Sequence, residues 1–424
     1  MTYLSDVPIE VLRLILSNIN HQTYLYECAL VNKNWYAVTN PLLWREPMFF
    51  AAGAYRKEMI SYWLSRAFRQ APTHGLHATP LGHYIRRLSI LLYTNLQDMR
   101  HVINNVPLVE QLSIEVKTLT NVDIYQIALK CPKLKRLSLR YQKCYSGFFD
   151  SSDDFFTLLQ LCTNLRELSI NTNFRTTCLL SSLKHDRLEK LRLITSGSPR
   201  RIPLGLTFSN IPTLTNLDLD SLAAPYFRHY RTLPSPTFFP GLTRLRISML
   251  YGAAIDNEAV VSFFKAHPLI DTLTIQSMKI DSAIMTSLTT DLVHLKRLTL
   301  IDNGCLPPFT MALPLLERLD LRHCSMNVPS TVYMATLFPN IHYIYVSKRY
   351  DPVLRKSSNI MGDDSQSDKL TIESLTQLKY LNFASYDSVP VDLKVNVPRR
   401  IGGKLAKADW NSIQRTAVGL AIIC

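Results

Sequence analysis

The side chains that could perform chemistry are eleven histidines, eight cysteines and 33 carboxylates in a chain of 424 residues. The histidines are scattered without an H-E-x-x-H pair, and no two cysteines stand as C-x-x-C. Thirteen glycines nowhere form a phosphate-cradling loop. Neither a metal, a cofactor nor a nucleophilic centre is expected. Cys131 and Cys162 each precede a recurring apolar phrase by three residues, where packing accounts for them better than reactivity. What remains is binding chemistry. The 47 Lys and Arg give a formal charge of +14, which permits acidic, phosphorylated or nucleic-acid partners and selects none.

The elements that must position these charges follow from the apolar pattern. With 47% apolar or aromatic and 19% charged residues, the chain can bury a large core and is not disordered. Its start carries acids at Asp6 and Glu10 and no basic region before an apolar run, so no secretory leader is expected. The longest clean apolar run, Ala417 to Cys424, is far too short to span a bilayer, so no membrane partner is expected. Reduced thiols in the cytosol or nucleus are the simplest reading of the cysteines.

One phrase recurs: an apolar residue, two variable ones, Leu, one variable, apolar. Its twelve central residues are Leu88, Leu112, Leu137, Leu168, Leu191, Leu217, Leu245, Leu273, Leu298, Leu319, Ile344 and Leu381. Their spacing averages about 27 residues, the range of leucine-rich repeats. The last two apolar residues of each phrase are two apart and share one side of a strand, so stacked copies bury a common core. Seven phrases carry Pro two residues ahead, at Pro107, Pro132, Pro212, Pro240, Pro268, Pro314 and Pro339, which should end a helix and start extended chain. Return legs such as 122–130 and 257–265 read as short helices. The Asn or Cys expected after the strand is met at Asn173, Asn303 and Cys324.

The fold class is α/β: a small N-terminal all-helical domain, then a solenoid with a curved parallel sheet on its concave side and helices on its convex side. The domains are 1–48, a helical spacer 49–84, about twelve degenerate repeats over 85–390 and a C-terminal cap over 391–424. Arg355 to Lys369 reads as a mobile loop, and the aromatic, proline-rich stretch from Ala223 to Pro240 as a further candidate loop. Trp410, Ile413, Ala417 and Leu420 recur at steps of three and four, predicting a closing helix.

Positions flanking the inward residues of each phrase face away from the core. Ten of them are basic: Arg87, Arg136, Arg140, Lys190, Arg192, Arg244, Arg246, Arg297, Arg318 and Arg322. Five are acidic: Glu115, Glu167, Asp218, Asp220 and Asp320. Arginine forks suit carboxylates and phosphates, so an acidic or phosphorylated protein substrate is expected at Arg136, Arg140, Arg192, Arg244, Arg246, Arg297, Arg318 and Arg322. Tyr343, Tyr345 and Tyr380 would add an aromatic anchor. A charged open face also serves solubility alone. The phrases lack the regular aromatic interleaving that single-stranded RNA uses, which ranks nucleic acid behind protein.

The first fifty residues lack the phrase. Asp6 and Pro8 open a predicted helix with Leu12, Ile15, Leu16 and Ile19 at helical spacing, and two more follow, the last over about 33–40. Three short helices cannot bury this much Leu, Ile and Trp among themselves. They either cap the first repeat or offer an interface. The run Leu4-Ser-Asp-Val-Pro8-Ile-Glu10-Val-Leu12, then Ile15-Leu16, then Cys28-Ala-Leu30-Val31-Asn-Lys-Asn-Trp35-Tyr36, then Leu43-Trp44, resembles an F-box. Val7 stands where that family usually has Leu, and Asn32 where Cys is common. The order F-box, spacer, repeats resembles the F-box/leucine-rich-repeat family, whose fungal members have repeats this degenerate. The resemblance implies a non-catalytic adaptor of an SCF-type ubiquitin ligase, joined through a Skp-type subunit to a cullin-RING ligase and delivering a protein substrate for degradation. It implies docking through Leu4, Pro8, Ile9, Val11, Leu12, Ile15, Leu16, Leu30, Val31 and Trp35, with Leu43 and Trp44 in support. The alternative is a protein- or RNA-binding repeat scaffold outside ubiquitylation.

Overall fold

The computed structural model describes residues 7–47, 60–70, 80–90, 95–116, 119–141, 159–172, 185–195, 211–220, 227, 239–249, 255–309, 311–326, 334–347, 380–384, 415–416 and 419–423. It divides into two compact units, Met1–Gly197 and Ser198–Cys424.

In the first unit, α1 (Ile9–Ser17), α2 (Gln22–Ala29) and α3 (Lys33–Arg45) precede α4 (Ile60–Gln70) and a short 3-10 turn. Leu12, Leu16, Leu25 and Val38 form the helical core, with Val7, Ile19, Cys28, Trp35, Leu42 and Leu43 packed against it. Pro8, and not Asp6, is the N-cap of α1, and Asp6 lies outside the described residues. Asn32 caps α3 by accepting from the Trp35 N–H at 2.9 Å, so this departure from the family pattern supplies a preferred N-cap. The helix runs past the predicted end at 40 and through Pro41. Other elements take up the carbonyls of its last turn: Gln22 Nε2 donates to Leu43 and Glu46, and the Arg86 N–H to Arg45.

The repeats follow. Strands β1 (Arg87–Ile90), β2 (Gln111–Val116), β3 (Arg136–Tyr141), β4 (Glu167–Thr172) and β5 (Lys190–Thr195) pair in parallel and in sequence order. Leu88, Leu112, Leu137, Leu168 and Leu191 stand level across them. Helices α5 (Leu96–Asn104) and α6 (Asn121–Lys130) are return legs. The Thr120–Asp123 capping box starts α6, and Arg100 of α5 reaches the buried Asp123 carboxylate at 2.6 Å. Burial alone would raise the pKa of Asp123. Hydrogen bonds from Arg100 and Thr120 outweigh it and hold the group below its ordinary value.

The second unit repeats the design with β6 (Asn216–Asp220), β7 (Arg244–Ser248), β8 (Thr272–Gln276), β9 (Arg297–Leu306), β10 (Arg318–Met326), β11 (Tyr343–Ser347) and β12 (Tyr380–Ala384), again parallel. Its return legs include α7 (Asn257–Ala266), α8 (Ser282–Thr290) and the short α9 (Met334–Leu337). Asp256 and Asp281 cap α7 and α8.

A feature beyond the phrase precedes the strands. Residues Val106, Cys131, Cys162, Ile211, Phe239, His267, Leu292, Leu313 and Phe338 are buried, and each accepts the N–H of the phrase's first apolar residue three positions on. The prolines therefore occupy the second position of a tight turn, the site their fixed φ favours. Burial pushes the Cys131 and Cys162 thiols up to about 12, which suits packing and not nucleophilic attack. Ser277 just after β8, Asp302 inside β9 and His323 inside β10 adopt positive φ of 54–56° and turn the backbone there. This turn aims the next residue inward: Asn303 donates to the Ile275 carbonyl at 3.0 Å and accepts from the Met278 N–H at 2.9 Å. Cys324 takes the corresponding place and reaches the Leu300 carbonyl. Asn173 lies outside the described residues.

Within the predicted 223–240 loop, Phe227 and Phe239 are fully buried, and Phe227 meets Phe263 edge to face at 5.4 Å. One expectation changes. The closing helix over 410–420 is not formed at Leu420: β14 (Gly419–Ile423) pairs antiparallel with β12, and β13 (Arg415–Thr416) with β14. An open strand edge needs hydrogen-bond partners, and a short apolar run fits a strand as well as a helix. The 355–369 segment lies outside the described residues.

Candidate functional site

Two surfaces carry the candidate residues. The first is α1 with the end of α2. Helical spacing places Leu12 and Leu16 on the inner side, where they are buried. This corrects their expected role as docking residues: they build the core that holds the outer side chains. Ile9, Val11, Leu14 and Ile15 point outward, with Leu14 at 68% and Ile15 at 52% exposure. Leu30 and Val31 are also exposed, as are Tyr24 and Tyr26. Pro8 is exposed, while Trp35 and Leu43 lean on the core and Trp44 is half-buried. Leu4 lies outside the described residues. The structure thus brings Ile9, Val11, Ile15, Leu30 and Val31 to the surface and adds Leu14, Tyr24 and Tyr26. The helical wheel of α1 could have found Leu14, since its apolar residues nearly surround the helix.

The second surface is the open face of the sheet. In the first unit its charges meet one another. Glu167 of β4 stands level with Arg136 of β3 and Lys190 of β5. It approaches both, at 3.3 and 2.6 Å. Arg140 lies 3.6 Å from Glu115, and Arg87 3.1 Å from Glu46, beside the Arg45–Arg86 backbone bond. Arg192 stands in the middle column next to Ser169.

In the second unit, Arg322 of β10 grips Asp320 with both prongs, at 2.9 and 2.8 Å, and lies 5.3 Å over the Tyr345 ring. Arg318 is 3.6 Å from the same buried carboxylate and 4.0 Å over Tyr343. Arg246 donates to Gln276 at 3.2 Å and stays 3.9 Å from Asp218. Arg244 and Arg297 are exposed. Among the described residues, no ion pair or side-chain hydrogen bond engages either. Tyr380 of β12 stands in register with Tyr343. The expected arginine face is therefore mostly self-paired, and Arg244 and Arg297 are its open cations. Among the described residues, no cluster of His, Cys, Asp and Glu could hold a metal, and no helix is long and apolar enough to cross a membrane.

The helices bearing the outward apolar residues coincide with a known family model, F-box-like, which matches residues 4–49. Residues 4–49 form an F-box-like domain. Behind it runs a leucine-rich-repeat solenoid, established by the strand register and the repeated turns. No curated protein matches the chain. Among solved structures it is similar to the leucine-rich repeat-containing protein LegL7 from Legionella pneumophila, at 14% identity and TM-score 0.39 over 71% of this chain and 96% of that one. It is also similar to the Rad7 and Elc1 complex in yeast, at 15% identity and TM-score 0.36 over 82% of this chain and 87% of that one.

Proposed function

We propose that this chain is the substrate-recognition adaptor of an SCF-type ubiquitin ligase, acting in the cytosol or nucleus. The F-box-like domain docks on a Skp-type subunit, and through it on a cullin-RING ligase, while the repeats hold a protein substrate. The chemistry is proximity: the chain raises the local concentration of a substrate lysine and makes no bond itself. The observation that carries the reading is the outward apolar set Val11, Leu14, Ile15, Leu30 and Val31 within the F-box-like match. Such a patch on a folded helix domain marks a protein interface.

A second reading, a repeat scaffold whose helices only cap the first strand, draws on the Arg45–Arg86 and Glu46–Arg87 contacts. Those contacts use only the end of α3 and leave α1 and α2 outward, which favours docking. The test is capture of the Skp-type subunit by the full chain, with Val11→Asp/Ile15→Asp as the variant. Trp35 is left intact because it packs on the helical core. Capture by the intact chain and its loss in the variant supports the adaptor. An intact chain that ignores the subunit leaves the scaffold.

A further inference from the structure

The same column of the open face contains two matching triplets of adjacent strands. In the first unit the order is Arg136, Glu167, Lys190 on β3, β4 and β5. In the second it is Arg244, Thr272, Arg297 on β7, β8 and β9. Glu167 bridges its two bases at 3.3 and 2.6 Å. Thr272 cannot do this: its hydroxyl is neutral, and it donates to Asp271 at the strand's start, 2.8 Å away.

The surroundings deepen the contrast. Over β7, β8 and β9 the outward positions are Arg244, Arg246, Thr272, Thr274, Gln276, Arg297, Thr299 and Ile301, with three arginines and no carboxylate, while Ser248 is buried. The next strand does not neutralise Arg297. Its level neighbour there is Arg318, and like charges side by side on adjacent strands repel. Asp320 serves Arg318 and Arg322, and the Asp218 carboxylate stays 3.9 Å from Arg246.

We infer that Arg244 and Arg297 form a clamp for a phosphoryl group on the substrate, which takes the place that Glu167 fills from within in the other unit. Strands two apart are about 10 Å from each other, so both forks reach an anion lying over Thr272. A phosphate monoester carries close to two negative charges and three acceptor oxygens, matching two guanidinium groups. A single carboxylate, such as the one Glu167 places between two bases, brings one charge and two oxygens, so it can fill the seat but meets two guanidinium forks less fully than a phosphate. Thr274 and Thr299 hydroxyls border the seat. This clamp rests on the proposed role of the repeats as the substrate-holding part.

The experiment uses the full chain and pools of short peptides, degenerate except for a central phosphoserine, serine or glutamate. Retention of the phosphoserine pool should exceed both others by about tenfold. Thr272→Glu should abolish that preference, because the new carboxylate occupies the clamp as Glu167 does, and should leave the thermal melt unchanged or raised. Arg244→Ala and Arg297→Ala should each reduce retention about tenfold, while Arg136→Ala should not. The clamp is overturned if Thr272→Glu retains the phosphoserine pool like wild type. It is equally overturned if the glutamate or serine pool binds as well as the phosphoserine pool, or if none binds. The Val11→Asp/Ile15→Asp chain should keep the phosphoserine preference. Failure of Skp-type capture with the preference intact would remove the ligase and leave the clamp. The converse result would remove only the clamp.

Discussion

The two units solve opposite problems with the same repeat. The first closes its open-face charges among themselves, through Glu167, Glu115 and Glu46, and leaves apolar side chains of α1 and α2 in solvent. The second buries Phe227, Phe239, Phe263, Phe264 and Phe338 and leaves Arg244 and Arg297 outward, with Thr272 and no carboxylate at the strand position between them. What each region leaves unsatisfied internally is the ground for the two proposals, an apolar partner in one case and an anionic one in the other. A tally of residue types hides this, because both units are rich in arginine and in leucine.

The contrast breaks most readily on α1. Leu16 and Ile15 are neighbours in sequence with opposite fates, buried and half-exposed. Leu16→Ala should cost about 2–5 kcal/mol in a denaturant melt of the helical domain. Val11→Asp/Ile15→Asp should leave that melt within about 0.5 kcal/mol and weaken Skp-type capture by at least about 30-fold. A double variant that melts early instead would mean α1 is buried on both sides and the surplus is structural. Raising salt should leave the capture nearly unchanged, since it is apolar.

Next in size is Asn303. It is buried and joins the turn after β8 to β9 by two hydrogen bonds. Asn303→Ala strands the Met278 N–H and the Ile275 carbonyl and should cost about 1–3 kcal/mol. Hydrogen exchange should localise the loss to the second unit. Opening spread equally into the first unit would show that the two do not respond as separate bodies.

Acid should separate two of their buried groups. Burial holds the His267 imidazole below its ordinary 6.5, against a hydrogen bond to the Phe263 carbonyl that favours the charged form. The unfolded chain then binds the proton more readily, so the stability His267 contributes is complete above pH 6.5 and declines as pH falls below it. Asp123 is also depressed, from an ordinary 3.8, and its contribution is lost only as pH falls through the carboxylate range. Exchange protection in α7 should therefore weaken at a higher pH than protection at the α5–α6 contact. His267→Leu should flatten the upper limb; Leu292 and Leu313 already occupy the corresponding turn position. If protection is lost at both places together, His267 is not the group that responds.

Much of the architecture was legible because a repeat puts the same requirement into the sequence many times. The central leucines, the turn prolines and Asn303 each follow from a strand that must bury one side against its neighbour. Other features needed the third dimension. The F-box resemblance named Leu12 and Leu16 among docking residues, and only the helix's seating shows that they face the core. Steps of three and four suggested a helix near Leu420, whereas β12 offers an edge that a strand fills. The arginine face looked like a field of open cations because Arg136 and Glu167 are distant in sequence. Their meeting depends on the register of β3 and β4.

That register gives the smallest and sharpest prediction. Glu167→Thr would convert the first unit's triplet into the pattern of the second, leaving Arg136 and Lys190 facing a hydroxyl. Both bases are about half exposed, so losing the two ion pairs should cost only about 0.2–1 kcal/mol. The gain should appear elsewhere: the altered chain should acquire a second, weaker phosphoserine-retaining site, weaker because Lys190 offers a point charge where Arg297 offers a fork. Combined with Thr272→Glu, it should move the preference from one unit to the other. If the double variant retains no phosphoserine pool, the triplet pattern is insufficient, and the acid-free surroundings of β7 to β9 are what make the clamp.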